Sequence, residues 1–205
     1  MNIKVNLANV NNYGDARSLN SIKYIVIHYT ANDGDTSMNN ANYFKNNVVE
    51  ASAHYFVDSE SVTRSVPDDF VAWHCGALSY RHHECRNANS IGIEICDDVK
   101  NGIIYPSDKT IKKTIELVEW LMNKYSIPKA NVIRHYDVTG KLCPAYWCGT
   151  IDKEKKWQTE FKDKLGKSGN TLYHVQVGAF SVKANAEKLK KELESKGYKA
   201  IIKES

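Results

Sequence analysis

Apolar and polar positions along the chain separate into short uninterrupted runs and longer 3.6-residue stripes. Residues 24–28 (YIVIH) form a continuous apolar run that ends in a histidine and is followed by a polar loop over 31–35. Such a run predicts a strand covered on both faces. Residues 90–96 (SIGIEIC) predict a second strand, with Ile91, Ile93 and Ile95 on one face and Glu94 and Cys96 on the other. A third begins at Val132 and Ile133, runs into His135, continues as a polar loop and reaches Cys143. Residues 53–57 and 62–66 flank a polar turn and predict a hairpin. Residues 70–75 (FVAWHC) lead into 76–89, whose irregular polar pattern predicts a long surface loop.

Helical spacing appears in three places before residue 166. Met38, Ala41, Phe44 and Val48 share a face over 37–49. Ile111, Ile115, Val118, Met122 and Tyr125 do so over 107–125, with Ser107 as the N-cap and Ile127-Pro128 beyond the end. Trp157, Phe161 and Leu165 mark a helix over 152–165. Residues 1–20 are polar and asparagine-rich, and read as an arm with a short strand at 3–7. Residues 166–170 (GKSGN) read as a linker between a first domain, 1–165, and a small unit, 171–205. That unit predicts a strand at 173–179, a helix capped by Ser181 and running through Lys196 with Ala186, Leu189 and Leu193 inward, closed by Gly197, and a strand at 198–202. A β-α-β unit of this size is too small to bury a core alone.

Composition narrows the class without deciding it. The 205 residues are 42% hydrophobic and 25% charged, with a formal net charge of +4. This is ordinary globular composition and too weakly basic to argue a nucleic-acid partner; it suits a polyanionic cell wall equally well. No window approaches the roughly 18 apolar residues of a membrane span, so no membrane partner is expected. The stretch MNIKVNLANVNNYG lacks the pattern of a secretory signal. Five cysteines form no regular framework, so at least one is free or a metal ligand, and a reducing compartment is expected.

Three ligand-type side chains then fall at strand or loop ends: His28, His135 and Cys143. Three protein ligands with an open fourth position are the pattern of a catalytic zinc. Glu94 is the one carboxylate set into a strong apolar strand, and is the candidate general base. Lys141, two residues before Cys143, is placed to stabilise an oxyanion, and Asp137 to shape the loop. Each has a plainer reading: His28 as a satisfied strand-end histidine, Glu94 as an edge-strand surface residue, Lys141 as a solvated loop lysine. A structural zinc would need a fourth ligand, from Cys75, Cys85 or Cys96. Cys75 and Cys85 could instead pair with each other in an oxidising exterior.

The order YIVIHYT, SAHYFVD, AWHCG, NSIGIEI, VIRHYDVTGKLCP resembles the type 2 N-acetylmuramoyl-L-alanine amidases, over about residues 20–160. These include phage endolysins and autolysins and are related to peptidoglycan recognition proteins. The resemblance implies an α/β fold, a central mixed β-sheet flanked by helices. It implies one zinc ion per chain on His28, His135 and Cys143, with Glu94 and Lys141 as catalytic residues. The reaction implied cuts the amide between N-acetylmuramic acid and L-alanine, so the partner is peptidoglycan, both muramyl peptide and glycan strand. Tyr29, His54 and His74 fall in the substrate-contact set. Many members follow Cys-Pro with glycine, where this chain has Ala145. Some place a tyrosine near the metal from the SAHYFV block, where direct alignment here gives His54 and Tyr55 follows one later. A non-catalytic peptidoglycan receptor on the same fold is the alternative.

The tail, with its QVGAF block, resembles the first half of a SPOR domain, a module that binds peptidoglycan. A full domain is β-α-β-β-α-β, so a half implies that two chains combine in a homodimer. The endolysin resemblance and the absence of a signal pattern imply a protein that accumulates in the host cytoplasm and reaches the wall after release. An autolysin would instead act extracellularly.

Overall fold

A computed structural model of the chain describes residues 1–166, 177–198 and 200–202. The chain divides into two compact units, Met1–Ser168 and Gly169–Ser205. The strands of the first are β1 (Ile3–Val5), β2 (Tyr13–Ala16), β3 (Tyr24–Asp33), β4 (Tyr55–Val57), β5 (Val62–Arg64), β6 (Phe70–Ala72), β7 (Ser90–Asp97) and β8 (Val132–Arg134). Its helices are α1 (Ser37–Asn46), α2 (Asp108–Tyr125), α3 (His135–Thr139) and α4 (Ile151–Lys156). Six strands form one sheet in the order β1-β5-β4-β7-β3-β8. The β4–β5 hairpin is antiparallel and the other pairings are parallel, so the sheet is mixed and flanked by helices, as expected. Strands β2 and β6 form a small antiparallel pair apart from it.

The two strongest apolar runs, β3 and β7, lie side by side at the centre. One face of the pair carries Ile25, Ile27, Ile91, Ile93 and Ile95, all 1% exposed or less, in a core with Ile111, Ile115, Leu117, Val118 and Leu121 of α2. Ser107 caps α2 by accepting from the Thr110 amide at 3.2 Å. Ser126, in the left-handed region at φ 55°, ends it one residue before Ile127. Trp157 and Phe161 stack in the same core, where the chain leaves α4 in a wider helical turn, and Leu165 joins them. The other face carries Val26, His28, Gly92, Glu94 and Cys96. There Ala41 and Phe44 of α1 pack on Phe56 and Cys96.

Three expectations are corrected. Residues 1–20 are not an arm: β1 forms the sheet edge against β5, and Asn12 is fully buried. The Asn12 amide donates to the Phe44 and Asn47 carbonyls at 2.7 Å each, and the Asn9 backbone amide also donates to the Phe44 carbonyl at 2.9 Å, so the N-terminal segment takes the carbonyls at the end of α1. That is why α1 stops at Asn46, and Val48, expected on its buried face, is exposed. The predicted loop after His28 is in part strand: β3 runs on to Asp33 through a bulge at Ala31, φ 58°.

The second unit holds α5 (Lys183–Ser195). Its expected inward residues Ala186, Leu189 and Leu193 are half-buried, and none of its residues is fully buried. Val182, not Ser181, precedes it, with no side-chain cap. Gly197, at φ 85°, closes it, with the Tyr198 amide donating to the Leu193 carbonyl at 3.0 Å. The expected strand 173–179 lies mostly outside the described residues, and the described part of 198–202 carries no strand pairing. Among the described residues no helix is long and apolar enough to cross a membrane.

Ile93 is fully buried at the centre of the sheet. Ile93→Ala is expected to lower stability by about 2–5 kcal/mol in urea unfolding followed by circular dichroism.

Candidate metal centre and active-site cleft

The parallel register of β3 and β7 sets His28 opposite Glu94. It also sets Phe56 of β4 opposite Glu94 from the other side, so the glutamate stands on a central strand and not on an edge. The chain reaches His135 from β8, which pairs β3 on its far side. The polar loop expected after His135 is the short helix α3. Asp137 holds its start by accepting from the Arg134 amide at 2.8 Å and from the guanidinium at 2.7 and 3.0 Å. Arg134 is itself buried and also pairs with Glu154 at 2.8 Å. Gly140, at φ 88°, ends α3, and a Cβ there would lie 2.5 Å from Arg81 Nε. The Tyr136 amide donates to the Cys143 carbonyl at 3.0 Å, which brings Cys143 back beside His135. Ala145 has no positive φ, so this turn does not require the glycine that many resembling chains carry.

His28, His135 and Cys143 thus meet, all three buried, with one ligand atom from each within 4.8 Å of the others. His28 Nδ1 faces Cys143 Sγ at 3.8 Å. Two imidazoles and a thiol are a donor set that zinc accepts. His135 Nδ1 is buried with no hydrogen-bond partner, an unsatisfied acceptor that a cation would complete. Burial holds both imidazoles neutral: His28 is pushed well below the usual histidine range, and His135 down to about 4, with Lys141 as the next cause for His135. Burial also pushes the Cys143 thiol up, with Glu94 adding to the effect. Among the described residues no fourth His, Cys, Asp or Glu joins the group, so the structural-zinc reading finds no extra ligand in Cys75, Cys85 or Cys96.

Glu94 Oε2 is buried and unpartnered. Burial raises its carboxyl from the ordinary 4.5 to about 8, opposed by the charge of Lys141. Lys141 itself is exposed at the rim.

Two cavities open on this centre, of about 580 and 810 Å³. Trp73, His74, His135 and Lys141 line both, and of the metal group His28 and Cys143 line only the larger. Tyr29 lines the larger, together with His28, Glu94 and Cys143. His54, expected at the pocket, is absent from both linings and is fully buried. Its Nδ1 accepts from the Gly92 amide at 3.0 Å, and its Nε2 lies 2.8 Å from the Arg17 guanidinium and 3.2 Å from the Phe70 carbonyl. It braces the strands and cannot reach a substrate. His74, also expected at the pocket, does line it, but one ring nitrogen meets His28 Nε2 at 3.0 Å. His82 is half-buried, where a solvated loop position was expected, and accepts from the Glu84 and Cys85 amides. Cys75 and Cys85 are free thiols, both buried.

The comparisons with known proteins agree in kind. A family model described as N-acetylmuramoyl-L-alanine amidase matches residues 18–146, and one described as SPOR domain matches 169–205. The chain is similar to the N-acetylmuramoyl-L-alanine amidase CwlL of Bacillus licheniformis, 31% identical over 175 residues, covering 78% of this chain and 47% of that protein. It is 37% identical over 164 residues to the N-acetylmuramoyl-L-alanine amidase BlyA of Bacillus subtilis (strain 168), covering 73% of this chain and 44% of that one. The chain therefore spans about half the length of the curated relatives it matches. The solved catalytic domain of XlyA matches with a TM-score of 0.65 at 30% identity, over 81% of this chain and 100% of that one.

The Glu94 shift gives a stability test on the metal-free chain. The folded carboxyl, at about 8, holds its proton over a range where the unfolded one, near 4.5, has lost it. Stability therefore falls as pH rises through that window, by up to about 1.4 kcal/mol per pH unit. Glu94→Gln is expected to remove this slope in urea unfolding with chelator present. Parallel pH profiles for the two proteins would refute it.

Proposed function

This chain belongs to the N-acetylmuramoyl-L-alanine amidase family, and we propose that it hydrolyses the amide bond between N-acetylmuramic acid and L-alanine in bacterial peptidoglycan. The observation that carries this reading is the meeting of His28, His135 and Cys143 in the wall of one cavity with Glu94, whose Oε2 is buried and unpartnered.

A zinc ion held by His28, His135 and Cys143, one per chain, supplies Lewis acidity toward the carbonyl and toward water. The remaining work falls to the chain. Glu94 accepts the proton that the attacking water loses and delivers it to the leaving L-alanine nitrogen as the C–N bond breaks. The products are a carboxylic acid on the muramyl side and a free amine on the peptide. Lys141, at the rim of both cavities, faces the charge that develops on the carbonyl oxygen. Tyr29 and Trp73 wall the cleft, and burial of the three ligands excludes bulk water from the centre.

We assign residues 1–165 to catalysis and 171–205, joined by 166–170, to the wall. The match to the SPOR domain supports glycan binding by the second unit. Val177, Phe180, Val182, Tyr198 and Ile201 are exposed there, between 46% and 72%, and this apolar surface supports pairing with a second copy. The proposed place of action is the bacterial wall, reached after release from the cytoplasm in the manner of an endolysin.

Purified walls treated with the protein are expected to gain new N-terminal L-alanine. Glu94→Gln is expected to slow this by about 10²-fold or more, and Lys141→Ala by about 10²–10³-fold. Undiminished cleavage in a strong chelator would end the zinc assignment. A sedimentation mass of one chain at micromolar concentration would end the dimer.

A further inference from the structure

His74 touches His28 from the side away from the metal group, and its own far nitrogen continues into the strand floor. His28 Nε2 and His74 Nδ1 are 3.0 Å apart, His74 Nε2 and Ser90 Oγ are 3.1 Å apart, and Ser90 Oγ lies 2.7 Å from the Arg86 carbonyl. A carbonyl oxygen only accepts, so the single Ser90 hydroxyl proton is committed to Arg86. Ser90 Oγ must then accept, and the proton on His74 sits on Nε2. A neutral His74 consequently offers a bare Nδ1, which accepts from His28 Nε2. That leaves His28 Nδ1 with its lone pair free, and Nδ1 is the atom facing Cys143 Sγ at 3.8 Å. Each proton in the row is directed by the one before it.

The floor is built for this ring. Ser90, Gly92 and Glu94 share one face of β7 by the two-residue period. A Cβ at Gly92 would lie 2.5 Å from His74 Cγ, so only glycine leaves room for the ring between the serine and the glutamate. The backbone side of His74 is fixed as well, since the His74 and Cys75 amides both donate to Asn87 Oδ1, at 3.2 and 2.8 Å.

We infer that His74 is a positioning residue, oriented by Ser90 and Arg86, that sets which nitrogen of His28 faces the metal centre. This rests on the reading of His28 as a metal ligand, and it reassigns His74 from substrate contact to the support of that ligand. Outer hydrogen bonds of this kind fix the tautomer and raise the basicity of a ligating imidazole.

The test uses the full chain with zinc as the probe, and nitrogen-15 NMR of the histidine rings. In the metal-free wild type, His28 is expected as the Nε2–H tautomer. His74→Ala is expected to weaken zinc binding by about 10–100-fold and to leave His28 as a mixture of tautomers. His74→Asn, whose Oδ1 can stand where Nδ1 stood, is expected to restore most of the affinity and the single tautomer. Ser90→Ala should fall between, because it frees the orientation of His74 without removing its ring. Wild-type zinc affinity together with an unchanged His28 tautomer in His74→Ala would overturn the proposal. A wild type that bound no zinc would overturn the metal assignment alone, and the tautomer measured without metal would still decide the role of His74.

Discussion

The parallel pairing of β3 with β7 is the constraint on which the centre depends. Two strands with opposite needs on their two faces are laid side by side in a register that aligns His28 with Glu94. Their odd-numbered isoleucines fill the core under α2, and their even-numbered residues build the site. A slip of one residue in either strand would drive a histidine or a glutamate into the isoleucine core and turn isoleucines to the cleft. The core therefore fixes which face builds the site, because the cost of exposing those isoleucines opposes any one-residue slip.

This arrangement leaves an electrostatic debt on the site face. Glu94 Oε2 is buried and unpartnered, His135 Nδ1 lacks a partner, and the Cys143 thiol is pushed up by burial. All three conditions share a cause, desolvation, and all three are relieved by positive charge. Lys141 supplies part of it from the rim, lowering the Glu94 carboxyl while also holding His135 neutral. A neutral imidazole is the form that ligates metal, so one exposed lysine acts in the right direction on two buried groups at once.

Much of this was legible in the sequence where the signal was local. The strands β3 and β7, the hairpin, and the helix α2 with its serine cap follow from periods of two and 3.6 residues that run long enough to be distinctive. His28, Glu94 and His135 could be named because polar side chains interrupt or end apolar runs, which costs free energy unless they have a purpose, and Cys143 because a thiol follows His135 across one short loop. What escaped was set by distant partners. Nothing local marks Asn12 as the residue that terminates α1, since its bonds reach more than thirty positions along the chain. Helix α3 is too short to show a period and is held by Arg134, whose burial is visible only in three dimensions. His54 and His74 look alike in the sequence, each a histidine in a mixed apolar block. They differ because one ring is enclosed between strands and the other lies over the bare face of Gly92.

That last difference shows how a glycine can carry information about a side chain elsewhere. In a central strand Gly92 is unfavourable by propensity, with no side chain to pack and extra backbone entropy to lose. Its presence in SIGIEIC is explained by the His74 ring occupying the space where its Cβ would be. A weak point in an otherwise strong strand is therefore a mark of close approach by another group. The glycine leaves room for the His74 ring between the serine before it, which is buried against that ring, and the glutamate after it, which lines the cleft.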